Sequence, residues 1–351
     1  MFRVDTYLSI LLDHPPSVRY QEIVIPLPKS SQLWTAASEE ERRRLQWDEP
    51  AGREKALFAY LMRDALLDST DTPGLSNVPY RLNSADYHLG LCALQGGIWE
   101  AAREAHSAAS DEIVTKLEPG SPIRLWRSHL LDWRTRMLET ITSPTNPDAV
   151  LTPLTLTLWH ISAIRMHAPV TLLRVHGALL HQGYGGGGLN LAASTVYKPK
   201  AHLHRWLASL CPRSAVWSAA QIARLLTLES EDAPGASVAS ARRLQLNPLA
   251  VPGLLMSAIV TCSYASQILA CPSCLPGSAA HTAAVDVFVG GDEDQGLARW
   301  KQFGEGWAVW GATGIAICRC QLAALGEWFL RALARDQGAQ REFESFFESL
   351  T

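Results

Sequence analysis

Apolar positions recur at helical spacing along most of the chain. Val4, Leu8, Leu11 and Leu12 fall one to two turns apart, which predicts a helix from about Phe2 to Leu12, stopped by Pro15–Pro16. The next stretch, QEIVIPLP, is extended, and its two prolines keep it out of a central strand. A second helix starts at Ser38, where Glu41 three residues on completes a capping box. A third, over residues 51–67, carries Leu57, Tyr60, Leu61 and Leu67 as its apolar stripe. After a polar connection over 68–84, the pattern predicts helices over 85–116 and 122–141. The latter lines up Leu125, Trp126, Leu130, Trp133 and Met137 on one face.

The breaker SPTNP at 143–147 divides the chain into residues 1–142 and 148–351, two helical parts expected to pack as one body. Beyond it, helices are predicted over 154–180 (interrupted at Pro169), 201–210, 214–228, 249–270, 307–335 and 338–350. GYGGGG at 183–188, residues 229–240 and residues 290–296 are loops, and VDVFV at 285–289 is the clearest short β-alternation. The fold class is therefore all-α: a large irregular helical bundle with a few short extended segments. Ala250 to Ala270 has no charge over 21 positions, but Pro252, Ser257, Thr261, Ser263, Tyr264, Ser266 and Gln267 dilute it. It is read as a buried core helix, with a membrane span as the alternative.

Composition narrows the class. The chain of 351 residues is 47% hydrophobic and 19% charged, which excludes a disordered tail and a coiled coil. Its net charge of −3 argues against a nucleic-acid reader, which draws most of its affinity from neutralising phosphates. Seven irregularly spaced cysteines and a charged first segment without a signal-peptide core fit a reducing interior. Twelve tryptophans imply large buried side chains, an aromatic-lined cavity, or both.

Candidate chemistry is sparse. Cys271-Pro-Ser-Cys274 and Cys318-Arg-Cys320 are the nearest metal candidates, but a CxxC with a distant CxC is not a standard zinc pairing. The expectation is buried thiols behaving as small hydrophobes, and no metal site. His160, His167, His176 and His181, followed by His202 and His204, are read as core or boundary histidines instead of a cluster. GYGGGG lacks the strand, helix and Lys-Ser/Thr of a phosphate loop, and there is no Gly-x-Ser-x-Gly elbow. Arg42–Arg44 is a solvated basic face, and Asp292–Asp294 lacks the spacing of a calcium loop.

One segment is more specific. FRVDTYLSILLDHPPSVRYQEIVIPLP, followed by Leu33–Trp34, resembles the regulatory (middle homology) region of fungal-specific transcription factors. The resemblance rests on Asp5, Leu8, Leu11, Pro15, Pro16, Leu27, Pro28, Leu33 and Trp34, in order and at matching gaps. It implies transcriptional control in the nucleus by a helical domain, which family members join to a zinc-dependent DNA-binding module. That module's cysteine and histidine patterns are not in this sequence, and the family's domain begins upstream of the double proline. The chain is therefore expected to be truncated at its N-terminus and to hold no cofactor of its own. Trp34 is expected to be buried against the helix over 51–67.

These observations point to a regulator that binds other transcription proteins or a small hydrophobic ligand, without direct contact to nucleic acid or membrane. A homodimer is compatible with them. No catalytic residue is assigned. The alternative is a freestanding domain recruited as a ligand-binding protein or a cyclase- or isomerase-like enzyme. Its apolar pocket would be lined by residues such as Trp159, His160, Trp307 and Trp310.

Overall fold

The computed structural model describes residues 1–49, 52–67, 82–107, 121–141, 151–174, 203–209, 211–227, 247–269, 271, 274, 283–289 and 294–350. Helices dominate, as the apolar periodicity predicts, and the chain divides into two compact units. The first comprises Met1–Ala105 with Leu117–Trp159, and the second His106–Lys116 with His160–Thr351. The division falls at Trp159, beyond SPTNP, which lies outside the described residues along with GYGGGG.

In the first unit, α1 (Phe2–Leu12) has the predicted bounds. It stops because Asp13 turns into the left-handed region at φ 52°, and the His14 amide closes onto the Ser9 carbonyl at 3.2 Å. After the double proline the chain comes back along the helix, where the Asp5 carboxylate accepts the Val18 amide at 2.9 Å. The apolar stripe that predicts α1 is not the face it buries. Thr6, Ser9 and Ile10 point inward, whereas Val4, Leu8, Leu11 and Leu12 are 45–63% exposed.

α2 (Ser31–Thr35) is a short turn of helix, and α3 (Glu39–Asp48) begins where Ser38 predicts. The Ser38 hydroxyl accepts the Glu41 amide at 3.1 Å, while the Glu41 carboxylate reaches past the cap to the Ala37 amide at 2.9 Å. The helix expected over 51–67 is instead a 3₁₀ turn, Arg53–Lys55, followed by α4 (Phe58–Leu67). The extended segment interrupts it by pairing: Leu27 donates to the Ala56 carbonyl and Phe58 to the Ile25 carbonyl, both at 3.0 Å. Trp34 is also corrected, being 79% exposed. On a five-residue helix its neighbour Leu33, 9% exposed, takes the inward position, and adjacent residues point about 100° apart.

α5 (Ser84–Ser107), α6 (Pro122–Ile141) and the first half of α7 (Thr152–His167) complete this unit. Leu91, Leu94, Ile98, Met137 and Leu158 are fully buried. α5 and α6 approach closely through two glycines. A Cβ on Gly90 would meet the Trp133 ring at 1.9 Å, and one on Gly97 would meet Trp126 at the same distance.

The second unit is built on α8 (Cys211–Thr227) packed against α9 (Ala250–Ala265), which in turn packs on α11 (Leu322–Leu333) and α12 (Gln337–Glu348). α9 is buried over nearly its whole length. Among the described residues no helix is long and apolar enough to cross a membrane. Between α9 and α11 lies a three-stranded sheet: β1 (Ala284–Asp286) runs parallel to β2 (Trp307–Trp310), and β2 antiparallel to β3 (Ile315–Ala316). The helix predicted over 307–335 is thus replaced in its first half by strands. Burial alternates along WAVW, and Gly311 and Gly314, at φ 58° and 66°, make the turn that a helix could not. The expected loop over 290–296 also ends in structure. Asp294 caps α10 (Gln295–Phe303), its carboxylate accepting the Gly296 and Leu297 amides at 2.7 and 3.0 Å.

Candidate metal centre

Four cysteines meet where the sheet leads into α11. Beyond α9, turns carry the chain to Cys271 and Cys274; β3 delivers Cys318, and the 3₁₀ turn Arg319–Gln321 presents Cys320 just before α11. A backbone bond joins the two segments, from the Arg319 amide to the Ile268 carbonyl at 2.8 Å. All four sulfurs lie within 4.8 Å of one another, with Cys320 Sγ 3.2 Å from Cys271 Sγ and 3.1 Å from Cys318 Sγ.

The surroundings suit thiolates. Cys271 and Cys318 are buried, 2% and 1% exposed, and pack with Ala316, Ile268 and Trp307. Cys274 is half-buried and Cys320 exposed. The Cys274 amide bonds to both the carbonyl and the sulfur of Cys271, at 3.0 and 3.3 Å, an N–H that favours the charged form of that sulfur. Burial alone would raise the Cys271 thiol. Hydrogen bonds from Cys320, Cys318, Cys274 and the Cys274 amide outweigh it and bring Cys271 down to about 7. Burial and the neighbouring sulfurs push Cys318 up, and burial is the first cause holding Cys320 at about 11. One proton leaves such a cluster readily, and the others stay unless a cation compensates the crowded charge.

Along the chain the two pairs are far apart, Cys274 and Cys318 being 44 positions from one another. The fold makes them neighbours. All seven cysteines are free thiols, so no disulfide competes for these sulfurs. The chain matches no family model, no curated protein and no solved structure.

The other candidates are dispersed into packing. Trp159 is buried and donates its indole N–H to the Leu130 carbonyl at 2.9 Å within the first unit. In the second unit, His160 sits edge-on to Trp217, with ring centroids 5.4 Å apart. Trp307 and Trp310 share β2 but serve opposite faces. Trp307 lies against the cysteines, whereas Trp310 contacts Phe288, Trp328 and Phe329 at centroid distances of 5.0–5.3 Å. These rings pack against one another between the sheet and α11. The His167 carbonyl accepts the Trp206 indole at 2.7 Å and His204 is exposed, while His176, His181 and His202 lie outside the described residues. Arg42 and Arg43 pair with Glu39 on an exposed face.

Several of the residues that carry the resemblance do structural work in the first unit. Asp5 holds the segment after the double proline through the Val18 amide, and the Pro28 carbonyl accepts two bonds from the Arg53 guanidinium at 2.8 and 3.1 Å. That same guanidinium grips the Asp86 carboxylate bidentately at 2.6 and 2.8 Å. Leu27 and Leu33 are buried, whereas Leu8, Leu11 and Trp34 are left on the outside.

Proposed function

We propose that this protein is a helical regulatory body of the fungal transcription-factor kind, acting in the nucleus by binding other transcription proteins and not by reading bases. What carries the reading is the contrast within the family-like segment. Its aspartate, prolines and Leu33 are spent on fixing the chain, while Trp34 stands 79% exposed and the apolar row of α1 faces outward. An exposed indole on a well-held scaffold is the kind of anchor that protein interfaces favour. The net charge of −3 supports the absence of direct nucleic-acid contact. The tight aromatic packing around Trp310 gives no support to the enzyme reading.

The test tethers the full chain to an unrelated DNA-binding domain upstream of a reporter. The parent should change reporter output, and Trp34→Ala and Leu8→Asp should reduce that change while melting with the parent. A parent without effect on the reporter would overturn the reading, as would specific retardation of duplex DNA by the isolated chain at physiological salt.

A further inference from the structure

We propose that Cys271, Cys274, Cys318 and Cys320 bind one zinc ion in a closed, structural tetrathiolate site that clamps the segment following α9 to the entry of α11. The argument is geometric and independent of the regulatory reading. A zinc–thiolate bond of about 2.3 Å sets the edge of a regular sulfur tetrahedron at about 3.8 Å. The observed separations straddle that edge: two are 3.1 and 3.2 Å, and none exceeds 4.8 Å. One ion of this size fits among the sulfurs with small rotations of the side chains. A multi-iron cluster does not, because its irons and bridging sulfides would hold the four thiolates farther apart.

Two further features are those of a built site. The Cys271–Cys274 turn aims a backbone amide at the first sulfur, and the Arg319–Ile268 bond fixes the second pair opposite the first with no metal needed to define the approach. Soft thiolates select zinc over the hard cations. With four protein ligands no coordination position is left for water or substrate, so the ion holds structure and does no catalysis. Cys318 and Cys320 flank Arg319 and lead directly into α11, so the ion fixes the start of a helix that packs on α9 and α12. Binding converts four thiols to thiolates and releases their protons, so affinity falls with falling pH.

The experiment uses the full chain, expressed with zinc present and dialysed against metal-free buffer. Elemental analysis should give one zinc per chain, and X-ray absorption at the zinc edge should give four sulfur neighbours at about 2.3 Å. Replacing zinc by cobalt(II) should produce the visible spectrum of a tetrahedral tetrathiolate. Cys274→Ser and Cys320→Ser should each lose the stoichiometric metal, whereas Cys211→Ser, outside the cluster, should retain it. The absorption measurement needs only the parent and decides the question if a serine variant fails to fold. A folded parent without zinc would overturn the proposal. So would nitrogen or oxygen in the zinc shell, stoichiometric iron in place of zinc, or zinc retained in full by a folded Cys320→Ser protein.

Discussion

Arg53 lies between two carboxylates, bidentate to Asp86 and 3.6 Å from Glu49. Asp86 and Arg53 are both buried, 1% and 4% exposed, and the guanidinium binds the Asp86 carboxylate through two bonds of 2.6 and 2.8 Å. Burial raises the Asp86 carboxyl above its ordinary value even so, with the Arg53 bond and charge acting in the opposite direction. Desolvation thus outweighs attraction, and the pair adds little net stability of its own. Removing Asp86 is a different matter, because it leaves the buried Arg53 charge with the more distant Glu49 carboxylate, 3.6 Å away, at a cost of up to about 3–5 kcal/mol. Asp86→Asn is the clean perturbation. Asp86 also closes a capping box with Asn83, accepting the Asn83 amide and donating its own to the Asn83 side chain, both at 2.9 Å, and asparagine keeps both bonds. At about 2–4 °C per kcal/mol for a domain of this size, the first unit should melt lower by up to roughly 6–20 °C.

Arg53→Met should cost a similar amount, since it strands the Asp86 carboxylate and the Pro28 carbonyl together. The double variant Arg53→Met/Asp86→Asn removes the two most deeply buried charges and leaves the Pro28 carbonyl without its Arg53 donors and Glu49 without its Arg53 partner, a cost of about 1–3 kcal/mol. It should therefore be more stable than either single variant. Urea unfolding of the four proteins closes the cycle. Single costs that simply add in the double variant would refute the desolvation argument, and an Asp86→Asn cost below about 1 kcal/mol would refute the dependence of the buried Arg53 charge on Asp86.

Gly90→Ala and Gly97→Ala should each destabilise by about 1–3 kcal/mol through overpacking against Trp133 and Trp126. Gly96→Ala, whose nearest neighbour would be Pro16 at 3.9 Å, should instead gain about 0.5–1 kcal/mol of helix propensity. Trp34→Ala should leave the urea midpoint within the shift expected of a surface change, about 0.5 kcal/mol, and a loss of several kcal/mol would return Trp34 to the core. His88 is buried between the Tyr7 hydroxyl and the Thr155 hydroxyl, at 2.6 and 3.1 Å; burial first, then the Arg3 charge, lower it from 6.5 to about 3. The unfolded chain binds that proton first, so stability is full above pH 6.5 and is lost as pH falls toward 3. The loss between pH 7 and 4.5 should be roughly 2–3 kcal/mol, and His88→Gln should flatten that part of the urea-midpoint profile.

What could be read in the sequence was what neighbours along the chain decide. α1 and α6 have the predicted bounds because a double proline ends one and Pro122 opens the other, and Ser38 caps α3 because the hydroxyl and the Glu41 amide are three residues apart. Burial depends on partners elsewhere, and there the pattern misled. The apolar row of α1 marked the helix without marking its buried face, and Trp34 was expected inward from its place in the family-like segment. The inward face of α1 is instead the one that offers Thr6 and Ser9, next to a Tyr7 hydroxyl bonded to His88. An exposed apolar residue is ordinary on a protein surface, whereas a buried polar one has to find a bond.

The sheet and the cysteines failed for a connected reason. β1, β2 and β3 are three, four and two residues long, too short for alternation to rise above the helical pattern around them. Their existence depends on pairing across the α10 crossover, and that pairing leads the chain back from Cys274 to Cys318. Once the sheet was read as helix, the residues from 307 to 335 ran as a single rod. A rod of 29 residues at 1.5 Å each would hold Cys318 and Cys320 on one fixed line, with nothing to turn them toward the end of α9. In the sequence the two pairs were set aside because a CxxC with a distant CxC is not a standard zinc pairing. With Gly311 and Gly314 turning β2 into β3, the same residues end two positions before Cys318, beside Ile268 and Cys271. The four-sulfur cluster follows from the turn, so a substitution that prevents positive φ at Gly314 should lower the zinc content expected of the proposed site without touching any cysteine.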